Sequence, residues 1–270
     1  MAKKIGIMGV GVVGNAVSSV IPGALLYDKF KNIGSLDEVN RADIIFVCVN
    51  TPYVEGKGCD ITAVDDAVSS IAGSKIVVVK STVVPGTVDN LQEKYPQHSI
   101  LFNPEFLRQA CAVEDMKNPD EQIVGYTEKS KSCAQEVIDI LPKAPHDFIV
   151  PAKDAEMAKY FSNTFLALKV VFANQIYDLC EKIGVDYESI KNMASVNPRF
   201  AFSHFDVWTE GYRGYSGACL PKDTKALIKF GEDNGVDLSL LKQADKINRR
   251  LLFGNKNIAP DLVKLYEKES

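Results

Sequence analysis

The first 150 residues alternate short apolar runs, rich in Val and Ile, with polar stretches that suit helices. Such runs are typical of strands buried on both faces of a parallel sheet. The stretches 12–20, 60–72 and 129–141 lie between them and have the composition of helices. The pattern predicts an α/β domain with a doubly wound parallel sheet, whose strands all end at one edge. The runs are KKIGIMGV, ALLYD, ADIIFVCV, KIVVVKST, SILFNPEF and EQIVGY.

The strand pattern stops after DFIV at 147–150 and Pro151. Residues 153–183 contain no Gly or Pro and carry apolar residues near helical spacing, which predicts one helix about 45 Å long. Apart from one glycine-rich loop, the later residues also have helical composition. We therefore expect two domains, 1–150 and an all-helical domain 151–270 built on this long central helix.

The predicted long helix is apolar almost all round, which a small domain cannot easily cover. This pattern favours burial between two copies of the chain and predicts a homodimer formed through residues 153–183. The alternative is that residues 221–255 cover the helix within one chain. The apolar positions are Phe161, Phe165, Leu166, Leu168, Val171, Phe172 and Ile176.

Charge and cysteine usage exclude several classes of protein. The net charge is −4 and no cluster of five basic residues occurs, which argues against nucleic-acid or membrane-surface binding. No apolar run reaches the roughly 18–20 residues that span a bilayer, so a cytoplasmic protein is predicted. The six cysteines form no CxxC pair and the three histidines lie far apart, so no metal site is predicted.

The segment GVGVVG at 9–14 follows the first predicted strand and precedes a predicted helix. Glycines here permit a tight turn and let backbone N–H groups approach a pyrophosphate at the positive end of the helix. Asp28, at the end of the next strand, is placed to bind the ribose hydroxyls of NAD and to repel a 2′-phosphate. A Rossmann domain that binds NAD is predicted; the alternative is a glycine turn needed only for packing. The predicted cofactor contacts are Gly9, Val10, Gly11, Val12, Val13, Gly14 and Asp28.

The segment EGYRGYSGACLPKDTKAL at 210–227 combines glycines with a cysteine at a predicted helix start. Pro221 suits the first helical turn, so Cys219 is expected at the helix N-terminus. The helix dipole and Lys222 favour the thiolate that a nucleophile needs, and Asp223 is placed one turn away on the same face. The alternative is an inert cysteine beside an ordinary helix cap.

Five segments, together with the glycine loop and in this order, resemble the UDP-glucose/GDP-mannose dehydrogenase family, nearest to its UDP-glucose branch. The resemblance runs from residue 3 to about residue 250. The segments are VNTP at 49–52, KSTVVPGT at 80–87, NPEFLRQACAVED at 103–115, AEMAKYFSNTFLALKV at 155–170 and GACLPKD at 217–223.

The resemblance implies NAD-dependent oxidation of the C6 alcohol of a nucleotide sugar to the acid in two hydride transfers. It assigns Cys219 as the nucleophile that forms a thiohemiacetal and then a thioester. Lys159 and Asn163 would stabilise the oxyanion, and Glu105 would act as general acid or base for hydrolysis. Thr82 and Asp223 would hold the catalytic water.

The resemblance also implies ligand-binding residues, although from residue type alone several of these suit caps, packing or a solvated face equally well. Arg199 suits a phosphate because its guanidinium offers paired planar donors. The implied substrate-binding residues are Glu105, Phe106, Leu107, Lys159, Asn163, Arg199, Tyr212, Tyr215 and Gly217. The implied further cofactor-binding residues are Thr51, Pro52, Ser81, Thr82 and Lys222.

Full-length members of that family carry a third domain that binds the UDP end of the substrate. The residues after the predicted helix around 239–255 show no strand runs, so this chain is expected to lack it. Two alternatives stay open: a β-hydroxyacid-type NAD dehydrogenase on the same architecture, and a non-catalytic subunit that binds NAD or a nucleotide sugar.

Overall fold

A computed structural model describes residues 3–201, 203–209 and 211–254. The chain forms two compact units, the first from residues 3–54 and 59–159, the second from residues 55–58 and 160–254. The boundary falls inside the long helix predicted from the sequence, after its first two turns.

The first unit contains a seven-stranded sheet. The strands along the chain are β1 (Ile5–Met8), β2 (Leu25–Tyr27), β3 (Ile44–Val47), β4 (Tyr53–Val54), β5 (Gly58–Cys59), β6 (Ile76–Val79), β7 (Ser99–Phe102), β8 (Glu121–Tyr126) and β9 (His146–Pro151). The order in the sheet is β2-β1-β3-β6-β7-β8-β9, and β4 and β5 form a separate two-stranded ribbon. Strands β1, β2, β3, β6 and β7 are mutually parallel, as the apolar runs predict. The loops that follow these five strands therefore lie along one edge of the sheet.

One predicted direction is wrong: EQIVGY, which forms β8, runs antiparallel to β7. The following strand β9 is parallel to β8. The chain leaves β7 through a six-residue helix, Ala112–Lys117, about 9 Å long. The pattern of a strand buried on both faces does not reveal this reversal, because it is the same in either direction.

Helices cover both faces of the sheet. One face packs against residues such as Val17, Met116 and Val137, and the other against Val64, Val88 and Ala155. The helices of the first unit are α1 (Val12–Val20), α2 (Leu36–Val39), α3 (Thr62–Ser69), α4 (Thr87–Lys94), α5 (Ala112–Lys117), α6 (Ala134–Ile140) and the beginning of α7 (Ala152–Ile183).

The second unit is built on the rest of α7. The whole helix, Ala152–Ile183, matches the predicted helix 153–183 to within one residue. It packs α7 with α8 (Tyr187–Ser195), α9 (Leu220–Asp233) and α10 (Ser239–Phe253). Two short strands, β10 (Trp208–Thr209) and β11 (Tyr212–Arg213), pair antiparallel inside the glycine-rich region. The sequence does not predict them because two-residue strands are too short to show a period.

All six cysteines lie in the described residues, and none of them is in a disulfide. Across the same residues, no helix combines the length and the apolar character needed to cross a membrane.

Candidate active site

The glycine loop connects β1 to α1. Backbone atoms pack closely around Gly9 and Gly14, whereas Gly11 faces open space. Gly9 has φ 89°, and a Cβ there would lie 2.6 Å from the carbonyl oxygen of Cys48. A Cβ at Gly14 would lie 1.9 Å from the carbonyl oxygen of Gly9. At Gly11, just before Val12 begins α1, a Cβ would meet nothing within 4 Å. The loop therefore leaves room for a group such as a pyrophosphate beside the helix N-terminus.

Asp28 follows β2, beside this loop. Its Oδ2 accepts a hydrogen bond from Val10 N at 2.8 Å, and its Oδ1 accepts from Phe30 N and Lys31 N at 3.0 Å. Burial raises the pKa of Asp28, but these amides and the Lys31 charge outweigh it and hold the pKa below its ordinary value. Lys31 Nζ also donates to Val10 O at 2.6 Å. The carboxylate is thus held in its ionised form beside the glycine loop.

Three predicted residues with hydroxyl groups lie at the ends of β3 and β6. Thr51 Oγ1 donates to Thr82 O at 2.7 Å, and Ser81 Oγ donates to Val49 O at 2.6 Å. These bonds join the segment around Pro52 to the segment that follows Lys80. The structure therefore brings Thr51, Ser81 and Thr82 together. The hydroxyl groups of Thr51 and Ser81 also stabilise the contact between the two segments.

Glu105, which follows β7, pairs with Lys159 of α7. Lys159 Nζ lies 3.3 Å from Glu105 Oε1, also donates to Glu105 O, and lies 5.0 Å from the centre of the Phe106 ring. Glu105 Oε2 accepts from Leu107 N at 2.8 Å. The Lys159 side chain is nearly buried, with 4% of its surface exposed. The first unit therefore holds a carboxylate and an ammonium in contact at the edge where β7 ends.

Lys80 is a second buried cation in this region, which the sequence analysis did not identify. Its Nζ donates to Asn103 Oδ1 at 2.5 Å, and Asn103 Nδ2 donates to Ile123 O at 2.7 Å. Burial lowers the pKa of Lys80 to about 8 and raises that of the neighbouring Cys48 thiol to about 12. The sequence feature that predicts this buried cation is the lysine at the end of the apolar run KIVVVK, because a charged residue there has to find buried partners.

Cys219 caps the N-terminus of α9 in the second unit, as predicted. Its side chain is exposed, and Pro221 lies in the first turn. Asp223 N donates to Cys219 O at 2.9 Å, which places Asp223 one turn along the helix. An accessible thiol at a positive helix end is a suitable nucleophile.

Asp223 is the centre of a buried polar cluster in the second unit. Its side chain is 1% exposed, and its Oδ2 accepts from Asn163 Nδ2 at 2.5 Å. Lys222 pairs with the other carboxylate oxygen, Oδ1. The structure thus joins Asn163, Lys222 and Asp223, three residues that the resemblance selects.

Two predicted substrate-binding tyrosines lie in the packing of the second unit. Tyr215 exchanges two backbone hydrogen bonds with the Asn248 side chain, at 2.7 and 2.8 Å, and the Tyr212 hydroxyl accepts from Ser216 Oγ. Both rings are buried. Gly217, by contrast, has open space at its Cβ position. The contacts of Tyr212 and Tyr215 fix the shape of the loop before Cys219.

The sheet order, the glycine loop and Asp28 together define the first unit as a dinucleotide-binding domain of the Rossmann type. Family models match most of the chain. The NAD-binding domain of the UDP-glucose/GDP-mannose dehydrogenase family matches residues 18–141, and its central domain matches residues 153–250. The chain belongs to the UDP-glucose/GDP-mannose dehydrogenase family.

Similar proteins agree with this assignment. The UDP-glucose 6-dehydrogenase of Rickettsia prowazekii is 35% identical over 231 residues, covering 82% of this chain and 52% of that protein. The UDP-glucose 6-dehydrogenase of Rhizobium meliloti is 34% identical over 240 residues, covering 82% of this chain and 54% of that protein. A solved UDP-glucose dehydrogenase from Pyrobaculum islandicum is 27% identical with a TM-score of 0.81, covering 93% of this chain and 68% of that one. The chain spans about half the length of the curated relatives it matches.

Proposed function

We propose that this chain oxidises the C6 alcohol of a nucleotide sugar, UDP-glucose first among them, to the carboxylic acid with NAD as hydride acceptor. The observation that carries the proposal is the exposed Cys219 thiol at the start of α9, one turn from the buried Asp223 cluster. Membership of the family and the names of the relatives support the substrate class. NAD, when bound, would take up one hydride in each of two oxidations.

The proposed chemistry balances around Cys219. The first oxidation removes a hydride from C6 and a proton from its hydroxyl, giving an aldehyde. The thiolate adds to that carbonyl carbon to form a thiohemiacetal, and loss of a second hydride and a proton leaves a thioester. Water then breaks the carbon–sulfur bond, releasing the acid and restoring the thiol.

The other polar groups have roles that suit this sequence of steps. Lys159 and Asn163 are four residues apart on α7 and so project from one face of that helix, where their donors would stabilise a negative oxygen. Glu105 would exchange the protons of thioester hydrolysis, a role supported by its contact with Lys159. Thr82 and Asp223 would hold the attacking water, as in the family that the chain resembles.

The substrate contacts proposed are those implied by the resemblance. Arg199 is exposed, and no ion pair of its guanidinium occurs in the described part of the chain, which leaves its paired donors available to a phosphate. Phe106, Leu107 and the open Gly217 backbone would contact the sugar. Tyr212 and Tyr215 would act through the shape of the loop that they fix.

The proposed cofactor contacts rest on Asp28 and the open side of the glycine loop, with Thr51, Ser81 and Lys222 as further candidates. Asp28→Ala is expected to weaken NAD binding at least about tenfold and to reduce the preference for NAD over NADP. Titration calorimetry with both cofactors measures this, with Asp37→Ala on α2 as the control. Unchanged affinities for both would show that Asp28 does not bind the ribose.

We also propose that the chain forms a homodimer through α7. The helix exposes Phe161, Phe165, Phe172, Leu179 and Ile183, whose spacing places them along one face. Phe161 and Phe165 stack with their ring centres 6.4 Å apart, and Phe161 is 71% exposed. An apolar stripe of this length is typical of a surface that a second copy covers.

The deciding experiment counts NADH released per sugar consumed, using the purified chain and a panel of UDP- and GDP-sugars. Two NADH per UDP-glucose supports the proposal. Cys219→Ser is expected to abolish acid formation and leave NAD affinity unchanged, whereas Cys111→Ser, which alters another exposed cysteine, is expected to keep full activity. NAD binding without turnover of any sugar would instead indicate a non-catalytic subunit.

A further inference from the structure

Arg199 occupies the tip of a tight turn in the second unit. Phe200 N donates to Asn197 O at 3.1 Å, closing a four-residue turn. Arg199 N also donates to Asn197 Oδ1 at 3.1 Å. Asn in the first position and Pro198 in the second are the residues that such a turn prefers. The turn directs Arg199 away from the packed part of the unit, since its side chain is exposed.

The residues immediately after Arg199 are held by Lys169 of α7. Lys169 Nζ donates to Phe200 O at 3.3 Å and to Ala201 O at 2.5 Å, and lies 4.5 Å from the centre of the Phe205 ring. The residue is buried, with 7% of its surface exposed. Its partners in the described part of the chain are carbonyl groups and an aromatic face rather than a carboxylate. A buried ammonium with such partners fixes the backbone that supplies them.

The same segment carries unfavourable backbone conformations. Ala201 has φ 42° and His204 has φ 69°, both in the left-handed region that residues other than glycine rarely adopt. Such conformations persist where the surroundings enforce them, and they are common at functional sites. Tyr187 Oη, which donates to Phe205 O at 2.8 Å, anchors the segment a second time. Lys169 is the anchor nearest to Arg199.

We propose that Lys169 is a positioning residue that holds the Arg199 turn in the conformation that binds a phosphate of the nucleotide sugar. The proposal rests on the function proposed above, because it takes Arg199 as the phosphate ligand. Without Lys169, the turn samples many conformations, and ordering it again on binding costs affinity. Lys169 itself touches neither substrate nor cofactor in this scheme.

The first test needs no ligand. Trypsin cleaves after arginine, so the rate of cleavage between Arg199 and Phe200, followed by mass spectrometry, reports how firmly the turn is held. Lys169→Met, which keeps the side-chain length and removes the donors, is expected to speed this cleavage by about tenfold or more. Lys182→Met, at an exposed lysine in the last turn of the same helix, is expected to leave it unchanged. Equal rates in the two variants would overturn the proposal.

The control for folding is thermal unfolding of each variant. If Lys169→Met does not fold, Lys169→Gln is compared with Lys182→Gln in the same assay. The shorter amide does not span to both carbonyl groups, so faster cleavage is again expected for the variant at 169.

The second test asks whether Lys169 acts through Arg199. UDP affinity is measured by calorimetry for Lys169→Met, Arg199→Ala and the double variant. Both single variants are expected to bind UDP more weakly, and the double variant is expected to match Arg199→Ala. Independent, additive losses would overturn the proposal. A wild-type chain that does not bind UDP would contradict the proposed function, and the trypsin assay would then decide the role of Lys169 by itself.

Discussion

Asn163 Nδ2 donates a 2.5 Å hydrogen bond to Asp223 Oδ2, joining the long helix α7 to the helix that Cys219 begins. The Asp223 carboxylate is buried, and its other oxygen, Oδ1, pairs with Lys222. A buried carboxylate with both oxygens satisfied is costly to alter, because its partners lose their acceptor. The relationship explains why an acidic residue is stable so close to the nucleophile.

Asp223→Asn is therefore expected to lower the free energy of unfolding by about 1–3 kcal/mol and to reduce acid formation. The new amide places donors opposite Asn163 or Lys222, whichever way it turns. Chemical denaturation measures the loss of stability. Asp233→Asn, in an exposed pair with Lys229 of the same helix, serves as the control and is expected to change stability by less than about 1 kcal/mol. Equal losses in both variants would argue against the buried cluster.

The glycine loop offers a comparison between two similar substitutions. Gly14→Ala is expected to destabilise the first unit by about 1–3 kcal/mol, because the new Cβ meets the Gly9 carbonyl oxygen at 1.9 Å. The new Cβ of Gly11→Ala meets no atom within 4 Å, so this variant is expected to keep the stability of the wild type. Its NAD affinity is expected to fall by about tenfold, because the Cβ occupies the space left for the pyrophosphate. Thermal unfolding and NAD calorimetry separate the two effects. Full NAD affinity in Gly11→Ala would mean that the pyrophosphate does not approach this side.

Local features of the sequence predict a large part of this structure. The bounds of α7 follow from 31 residues without Gly or Pro, and the position of Cys219 follows from Pro221 two residues later. The direction of β8 is not predictable in this way, because its apolar pattern suits either direction. The contact of Lys159 with Glu105 is also hidden, since the two residues are far apart in the chain and meet only after α7 packs on the sheet.

Glu156 provides a prediction about pH. This fully buried residue of α7 accepts hydrogen bonds from Gly86 N at 2.6 Å and Val88 N at 2.8 Å, at the start of α4. Burial raises the pKa of Glu156 to about 8, although the amides of Val88 and Gly86 lower it. Between the ordinary value of 4.5 and about 8, the folded state binds more protons than the unfolded state. This group's contribution to stability is therefore present at low pH and is lost as the pH rises through that window.

Glu156→Gln is expected to be less stable than wild type by about 1–3 kcal/mol near pH 5, because its amide offers one acceptor for two N–H donors. The difference in the free energy of unfolding should narrow towards pH 8, because the wild type loses the contribution of protonated Glu156 while the variant has no ionisable group at this position. Urea denaturation at a series of pH values measures both curves. Glu181→Gln, at an exposed position on the same helix, is expected to follow the wild-type curve. Parallel curves for wild type and Glu156→Gln would refute the assignment.

The exposed stripe of α7 leads to a prediction about assembly. If a second copy covers the stripe, the chain is a dimer at micromolar concentration, as measured by light scattering. Phe161→Asp combined with Phe172→Asp is expected to give monomers, because two charges would have to be buried without partners. Val236→Asp alters an exposed apolar residue outside α7 and is expected to leave the dimer intact. A monomeric wild-type chain would contradict the proposed dimer. The stripe would then have to be buried against a different partner, since five large apolar side chains along one helix face are costly to leave in water.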